Sequence, residues 1–531
     1  MKTWLKDSIL YQVYPLTFCD ANGDGIGDLA GIESKLDYIK DLGADVLWLN
    51  PFYPSTFTDG GYDVTEFCDV DPRFGTLADF DSLVKACKQK GLKVIIDIVP
   101  GHTSYKHPWF VKSGEFERNE YSDTYVWTDS IFNKYRDLSI HGFYDRDGGY
   151  VVNYYATQPA LNYGFNRLPE AKKQSDDPYA SWDDWKMHYT DPRLTPLREE
   201  IIRILKFWLD RGVDGFRMDC ANSLVKECVY NSDKDEEIEG LVWVWKKIFD
   251  AIRPEYPNAV FFSEWICPQN AVGKADFDLD YFAHDMPEYN ELFRNTPGSN
   301  ILRAMERGEN YFDERGKGSM SAFLRYCETL FEKLDGKGYF AVPSGYHDVI
   351  RLAKNKTEKE LKAIFAFLLT FKHVPLIYYG DEIGMTHREN INRDGGFIRT
   401  GCRTPMQWTN GKNRGFSDAE ESELYLPVNE DPAQSVESQE KRPDSLYRLV
   451  KRLIALRKEH ACLRADGEFR LLAEGYPLAF ERTDGTERIL VCINASGQPR
   501  SAIGEFSEIL LSEGFDEETR TLSGGGILIA K

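Results

Sequence analysis

A chain of 531 residues is too long for one ordinary hydrophobic core, so it predicts one large domain with smaller attachments. A content of 42% hydrophobic and 28% charged residues describes a globular protein, and a net charge of −21 opposes sequence-independent nucleic-acid binding, which needs Lys and Arg to neutralise phosphates. No window approaches the length of a membrane span, Met1-Lys2-Thr3-Trp4-Leu5-Lys6 carries no apolar export segment, and the ten cysteines lack any Cys-x-x-Cys, so a cytoplasmic protein with reduced thiols is expected, with no membrane partner.

In chain order, residues 9–16 are rich in β-formers and read as a buried strand. A loop dense in glycine and aspartate follows, Asp20-Ala21-Asn22-Gly23-Asp24-Gly25-Ile26-Gly27-Asp28, with side-chain oxygens at alternate positions and Gly25 at its tight turn. Asp20, Asn22, Asp24 and Asp28, with the Ile26 carbonyl, suit a structural Ca2+ ion. An unmetallated Asx-rich turn is the alternative, and Gly31 at position twelve excludes an EF-hand.

A helix over 32–42, a strand at 46–49, a helix over 77–90 and a strand at 92–99 continue as βα units, which argue for parallel pairing. The rhythm then breaks: 103–190 is dense in Tyr, Trp, Asp and Asn and reads as an inserted domain. It resumes with a helix over 196–210 and a strand at 213–218. A helix over 241–252, a strand at 259–263, a weaker strand near 278–282, a strand at 339–343, a helix over 358–371 and a strand at 376–379 follow. After a helix over 446–460 come short β-runs.

Eight such strands close most economically into a (β/α)8 TIM barrel, residues 1–102 and 191–460, with the insertion at 103–190 after strand three and a C-terminal all-β domain, a β-sandwich, at 461–531. A doubly wound open sheet is the alternative. No Gly-x-Gly-x-x-Gly follows the first strand, and no organic cofactor is expected.

A barrel gathers its strand ends at one mouth, which brings Asp97, His102, Arg217, Asp219, Glu264, His347 and Asp348 together. Arg217 and Asp219 lie two positions apart and so share one face of a strand, where the cation can hold the carboxylate ionised. A strand-end ion pair is the bland alternative. Crowded carboxylates push their pKa values apart, the division of labour that glycoside hydrolysis needs. Metal ligation is the rival reading, and Arg217 in the middle would repel a cation.

The segments Gly61-Tyr62-Asp63-Val64, Asp97 to Ser104, Gln158-Pro159-Ala160-Leu161-Asn162, Gly215 to Asp219, Ser263-Glu264-Trp265, Tyr346-His347-Asp348 and Arg403-Thr404-Pro405-Met406-Gln407-Trp408 resemble the signature regions of glycoside hydrolase family 13, the α-amylase family. The likeness is greatest to its intracellular oligosaccharide-acting α-glucosidases. It implies Asp219 as nucleophile, Glu264 as acid and base, Asp348 orienting the sugar ring, and His102 and His347 bonding its hydroxyls, with two carboxyls roughly 5 Å apart and net retention. It also implies that Asp63 and Arg403 grip the non-reducing terminal glucose while Tyr62 stacks on it. Core packing of Tyr62 and a surface role for Arg403 are the alternatives. The loop from Asp20 to Asp28 resembles the lone calcium loop of oligosaccharide-acting members.

Four positions depart from the family pattern: Gly101 and Tyr346 stand in place of Asn, Ala160 in place of an acid, and Cys220 follows the nucleophile. The small Cys220 leans toward tolerance of α-1,4 bonds. The segment 164–190 is long enough to rim the leaving-group side, or is a solvated excursion. The expected activity is retaining hydrolysis of α-1,4 and/or α-1,6 glucosidic bonds in short malto- or isomalto-oligosaccharides, from the non-reducing end, by a monomer or weak homo-oligomer. The second expectation is a family isomerase or transglycosylase of trehalose synthase or sucrose isomerase type. A third, a non-enzymatic relative of the transporter-associated kind, is opposed by the complete set Asp219, Glu264, Asp348 and Arg217.

Overall fold

The eight runs rich in branched and aromatic residues all become strands, and burial on both faces explains why they read as near-continuous apolar segments. The structure, a computed structural model, describes residues 4–168, 185–294 and 309–531. The strands are β1 (Leu10–Val13), β2 (Val46–Leu49) and β3 (Lys93–Ile98), then, after a hairpin of β4 (Ser139–His141) and β5 (Gly149–Val151), β6 (Gly215–Met218), β7 (Val260–Ser263), β8 (Leu279–Tyr281), β9 (Tyr339–Pro343) and β10 (Val374–Tyr378). Parallel pairing in the order β1-β10-β9-β8-β7-β6-β3-β2 closes a barrel. Register sets the chemistry: Asp97 on β3 lies beside Arg217 on β6, and Met218 beside Ser263 on β7, so Asp219 and Glu264 leave adjacent strands at one level.

Amphipathic helices cover the barrel. The helix expected over 32–42 divides at Lys35 into Leu29–Ser34 and Leu36–Leu42 and stops at Gly43, whose φ of +101° favours glycine. Three further helices, Pro268–Ala275, Pro287–Phe293 and Ser321–Lys333, fill the stretches between the later strands.

The insertion after β3 carries its own small core of Val126, Tyr135, Val151, Ala160 and Phe165. It is tied to the barrel by a bridge between His102 and Ala160. Of the proposed rim at 164–190, residues 169–184 lie outside the described residues.

At the C-terminus, β11 (Glu468–Ala473), β12 (Leu478–Thr483), β13 (Arg488–Ile493), β14 (Arg500–Ser501), β15 (Ile509–Asp516) and β16 (Thr521–Ala530) join in one antiparallel ladder. Among the described residues the hydrogen bonding links all six strands into a single sheet. Alternation splits its residues: Val491, Ile493, Ile527 and Ile529 join the main core, while Leu490, Cys492, Leu528 and Ala530 form a second cluster with Phe506 and Phe515. No helix among the described residues is long and apolar enough to cross a membrane.

Candidate active site

Arg217 is the hub of the barrel mouth. Fully buried, it donates from Nη1 to Asp97 Oδ1 at 3.0 Å and to Asp219 Oδ1 at 2.9 Å, and its Nη2 lies 2.6 Å from Glu264 Oε2. One guanidinium thus holds three carboxylates from three strands, which its planar fork permits and a lysine would not. Burial raises Asp97 above the usual carboxylate range against the pull of Arg217 and His347. Burial likewise pushes Asp219 well up, opposed by Arg217 and reinforced by Glu264.

The turn after Asp219 reaches back to Glu264. Cys220 is left-handed, with φ of +44°, and its amide donates to Glu264 Oε2 at 2.9 Å while its sulfur lies 3.5 Å away. Tyr281 donates to the other oxygen, Oε1, at 3.0 Å. Behind Glu264 the buried Asp280 accepts from Ser263 Oγ and from the amides of Trp265 and Cys267, fixing the path after β7; burial pushes it up to about 6.

Asp348 is held from the other side. Its Oδ1 accepts from Arg399 and from Arg403, each at 2.8 Å, and its Oδ2 lies 3.1 Å from His347 Nε2. Burial would raise it, but His347, Arg399 and Arg403 outweigh that and hold it well below the usual range. The amides of Gln12 and Asn50 both point at His347 Nδ1, so that nitrogen accepts and Nε2 carries the proton toward Asp348.

His102, Asp219, Glu264, Asp348 and Tyr62 line one cavity of about 570 Å³. Tyr62 stacks on His347 with centroids 5.1 Å apart and 7° between planes, and its hydroxyl donates to Asp97. His102 lies 3.0 Å from the Tyr62 carbonyl through Nε2; burial lowers it to about 4, so it is neutral.

Three expected site residues stand elsewhere. Asp63 is buried away from the cavity, its carboxylate taken by the hydroxyls of Ser55, Thr56 and Thr58 and the amides of Thr58 and Asp59. Arg403 lies behind Asp348 and also donates to the His347 carbonyl at 2.8 Å. His347 is buried and acts on Asp348 rather than lining the cavity. The acid and cation that do line it are Asp59 and Arg399, paired at 2.9 Å, with Gln158 donating to the second Asp59 oxygen. Neither was singled out from the sequence. Tyr346 turns to His284, whose amide donates to its hydroxyl at 2.9 Å.

A Cβ on Gly101 would come within 2.8 Å of Asn153 Nδ2, so Asn153 would have to shift to admit a side chain there. Asn153 instead accepts from Lys226 Nζ at 2.7 Å, and Nζ also reaches the Ser223 carbonyl, so an ammonium ties insertion to barrel.

Among the described residues, one set of three acidic or thiol ligand atoms lies within 4.8 Å of one another, from Asp219, Cys220 and Glu264. Arg217 against both carboxylates makes it a poor cation site. In the loop from Asp20 to Asp28, Asp20 accepts from the amides of Asn22, Gly23 and Gly25 and from Ser417 Oγ, and Asp28 from those of Ala21, Asn22 and Gly31. Its donors are all oxygens, the chemistry a hard cation takes.

Comparison with known proteins agrees with this geometry. The family model "Alpha amylase, catalytic domain" matches residues 12–466. An oligo-1,6-glucosidase of Parageobacillus thermoglucosidasius is 29% identical over 96% of this chain and 95% of its own. A trehalose synthase/amylase of Mycolicibacterium smegmatis is 31% identical over 89% and 79% respectively. The crystal structure of a trehalulose synthase from Pseudomonas mesoacidophila superimposes with a TM-score of 0.79 at 25% identity, covering all of both chains. With the matched region spanning barrel, insertion and carboxylate cluster, the chain belongs to the α-amylase family, glycoside hydrolase family 13, and is a carbohydrate-acting enzyme.

Proposed function

We propose that the protein is a retaining α-glucosidase that removes the non-reducing terminal glucose from short malto- or isomalto-oligosaccharides. The observation that carries this is the single guanidinium of Arg217 against both Asp219 and Glu264, with a carboxyl oxygen of each within 4.8 Å of the other. Inverting glycosidases hold their carboxyls about 6.5–9.5 Å apart to admit a water, so the short gap favours direct attack.

In this mechanism Asp219 attacks the anomeric carbon while Glu264 gives its proton to the leaving oxygen, and the departing sugar takes that proton as its new hydroxyl. Positive charge growing on the ring faces Asp348, which His347, Arg399 and Arg403 keep ionised. The β-glucosyl ester on Asp219 then breaks when Glu264 takes a proton from water, or from a sugar hydroxyl, that attacks the same carbon. Two inversions leave the product α. The pair Asp59 and Arg399 closes the cavity around the terminal glucose, supporting exo action.

The second reading is a transglycosylase or isomerase, in which an acceptor sugar replaces water; the likeness to a trehalose synthase/amylase and a trehalulose synthase supports it. A proton NMR time course with equal maltotriose and isomaltotriose separates the two. Early α-glucose establishes a retaining hydrolase, and the faster-falling trisaccharide gives the linkage. New glucosidic signals with little glucose support transfer, and β-glucose overturns the mechanism.

Ca2+ on Asp20, Asn22, Asp24, Asp28 and the Ile26 carbonyl is proposed as structural, bracing the loop against residues 416–425. A cytoplasmic setting is also proposed, supported by ten free thiols.

A further inference from the structure

The cavity has two ends, and barrel order assigns them. Asp59 and Tyr62 follow β2; His284 and Asp285 follow β8. In the closed sequence β1-β10-β9-β8-β7-β6-β3-β2, four steps separate β8 from β2 in either direction, so the two loops face each other across the mouth. Strand β8 also lies between β7 and β9, which places His284 and Asp285 between Glu264 and Asp348. All of these residues line the same cavity.

Asp285 is built into that wall. His284 Nε2 lies 2.9 Å from Asp285 Oδ1, and His284 Nδ1 lies 2.5 Å from the Tyr346 hydroxyl, which also receives the His284 amide. Tyr346 is fully buried, so the imidazole is anchored at its inner nitrogen and presents Nε2–H to the carboxylate. The Asp285 side chain is 42% exposed, with Oδ1 engaged by the imidazole. Asn222 and Ile266 complete this side, and Asn222 bonds the Trp265 carbonyl next to the acid.

Resting on the retaining reading above, we propose that Asp285, aimed by His284 and Tyr346, binds hydroxyls of the sugar on the far side of the scissile bond, and so selects which sugar leaves and which sugar can accept. A glucose ring between Asp59 and Asp219 puts its scissile oxygen at Glu264, and the departing ring then lies toward β8. An ionised carboxylate there accepts hydrogen bonds from sugar hydroxyls, and a site built to bond a hydroxyl discriminates strongly against ligands lacking it.

The test compares maltose or isomaltose with α-glucosyl fluoride, whose leaving group has no hydroxyls, on the full chain. Asp285→Ala is expected to lower kcat/KM for the better disaccharide by about tenfold or more beyond any loss with the fluoride. Asp285→Asn, which keeps an acceptor oxygen without charge, should fall between, and its turnover of the fluoride reports an intact fold. Equal losses on both substrates, or no loss on either, overturn the proposal. Absence of turnover of either substrate by the unaltered protein instead overturns the glucosidase reading and this inference with it.

Discussion

Arg217 Nη2 lies 2.6 Å from Glu264 Oε2 while its Nη1 holds Asp219 at 2.9 Å, so the two carboxyls of the proposed mechanism are positioned by one side chain at the barrel mouth. Lysine at this place keeps the charge but cannot span both partners. Arg217→Lys is expected to lower kcat by about 10²–10³-fold, the scale of losing a preorganised electrostatic contact. It also weakens the pairing of buried Asp97, which keeps its hydrogen bonds from Asn50 and Tyr62, at a cost of about 1–3 kcal/mol of stability. Steady-state kinetics and denaturant unfolding of the same preparation check both; unchanged kcat would remove Arg217 from the account.

Asp59 and Asp63 are four residues apart and do different work. Asp59 faces the cavity with Arg399, whereas Asp63 gathers hydroxyls and amides of its own loop. Asp59→Asn should therefore lower kcat/KM by about 10²-fold or more with little change in melting temperature. Asp63→Asn should do the reverse first, losing about 1–3 kcal/mol of stability because several buried donors lose an ionised acceptor. A thermal melt beside a kcat/KM measurement for each variant separates them, and matching behaviour of the two would refute the division.

The same pair shows where sequence reasoning stops. The strand-borne residues Asp97, Arg217, Asp219 and Glu264 are legible because β-rich runs end on them and barrel closure brings strand ends together. Loop residues lack such a rule. The segments Asp59-Gly60-Gly61-Tyr62-Asp63 and Arg399-Thr400-Gly401-Cys402-Arg403 each offer two like charges at the same spacing. The choice is made by the chain path: Gly60 and Gly61 have φ of +57° and +104°, and a Cβ on Gly60 would sit 2.5 Å from Arg403 Nη1. Arg403 is thus packed beneath that turn and Arg399 is left to face the cavity. A paired glycine beside an acidic residue was the available signal, since it marks a reversal that exposes one of two neighbouring acids. The helices Pro268–Ala275 and Pro287–Phe293 were missed because both are short and neither has a side-chain cap at its start.

The oxygen-rich loop gives a prediction independent of activity. If Ca2+ binds there, excess calcium at about 100 times its Kd adds about 2.7 kcal/mol to the folded state. Chelation should then lower the melting temperature by a few degrees, and Asp24→Ala should abolish the difference between chelated and calcium-loaded protein. Equal melts with calcium and with chelator overturn the assignment.

Glu382 gives the clearest pH dependence outside the active site. It is fully buried, its Oε1 accepts from Tyr11 at 2.7 Å and from Tyr38 at 2.6 Å, and its Oε2 has no hydrogen-bond partner among the described residues. Burial pushes its pKa from 4.5 to about 7, despite both phenols. The folded protein therefore binds this proton more tightly than the unfolded chain does. Between pH 4.5 and 7 the native state holds more protons, so stability falls as pH rises through that window and levels off above it. A shift of this size is worth roughly 3 kcal/mol in total. Glu382→Gln mimics the protonated form and should remove that slope, so the variant matches the parent near pH 4.5 and exceeds it by up to that amount at pH 8. Denaturant unfolding of both proteins across the window reads the difference directly. A difference that stays constant with pH would show that Glu382 titrates alike in the folded and unfolded chains, and a difference of opposite sign would show that the phenols outweigh burial.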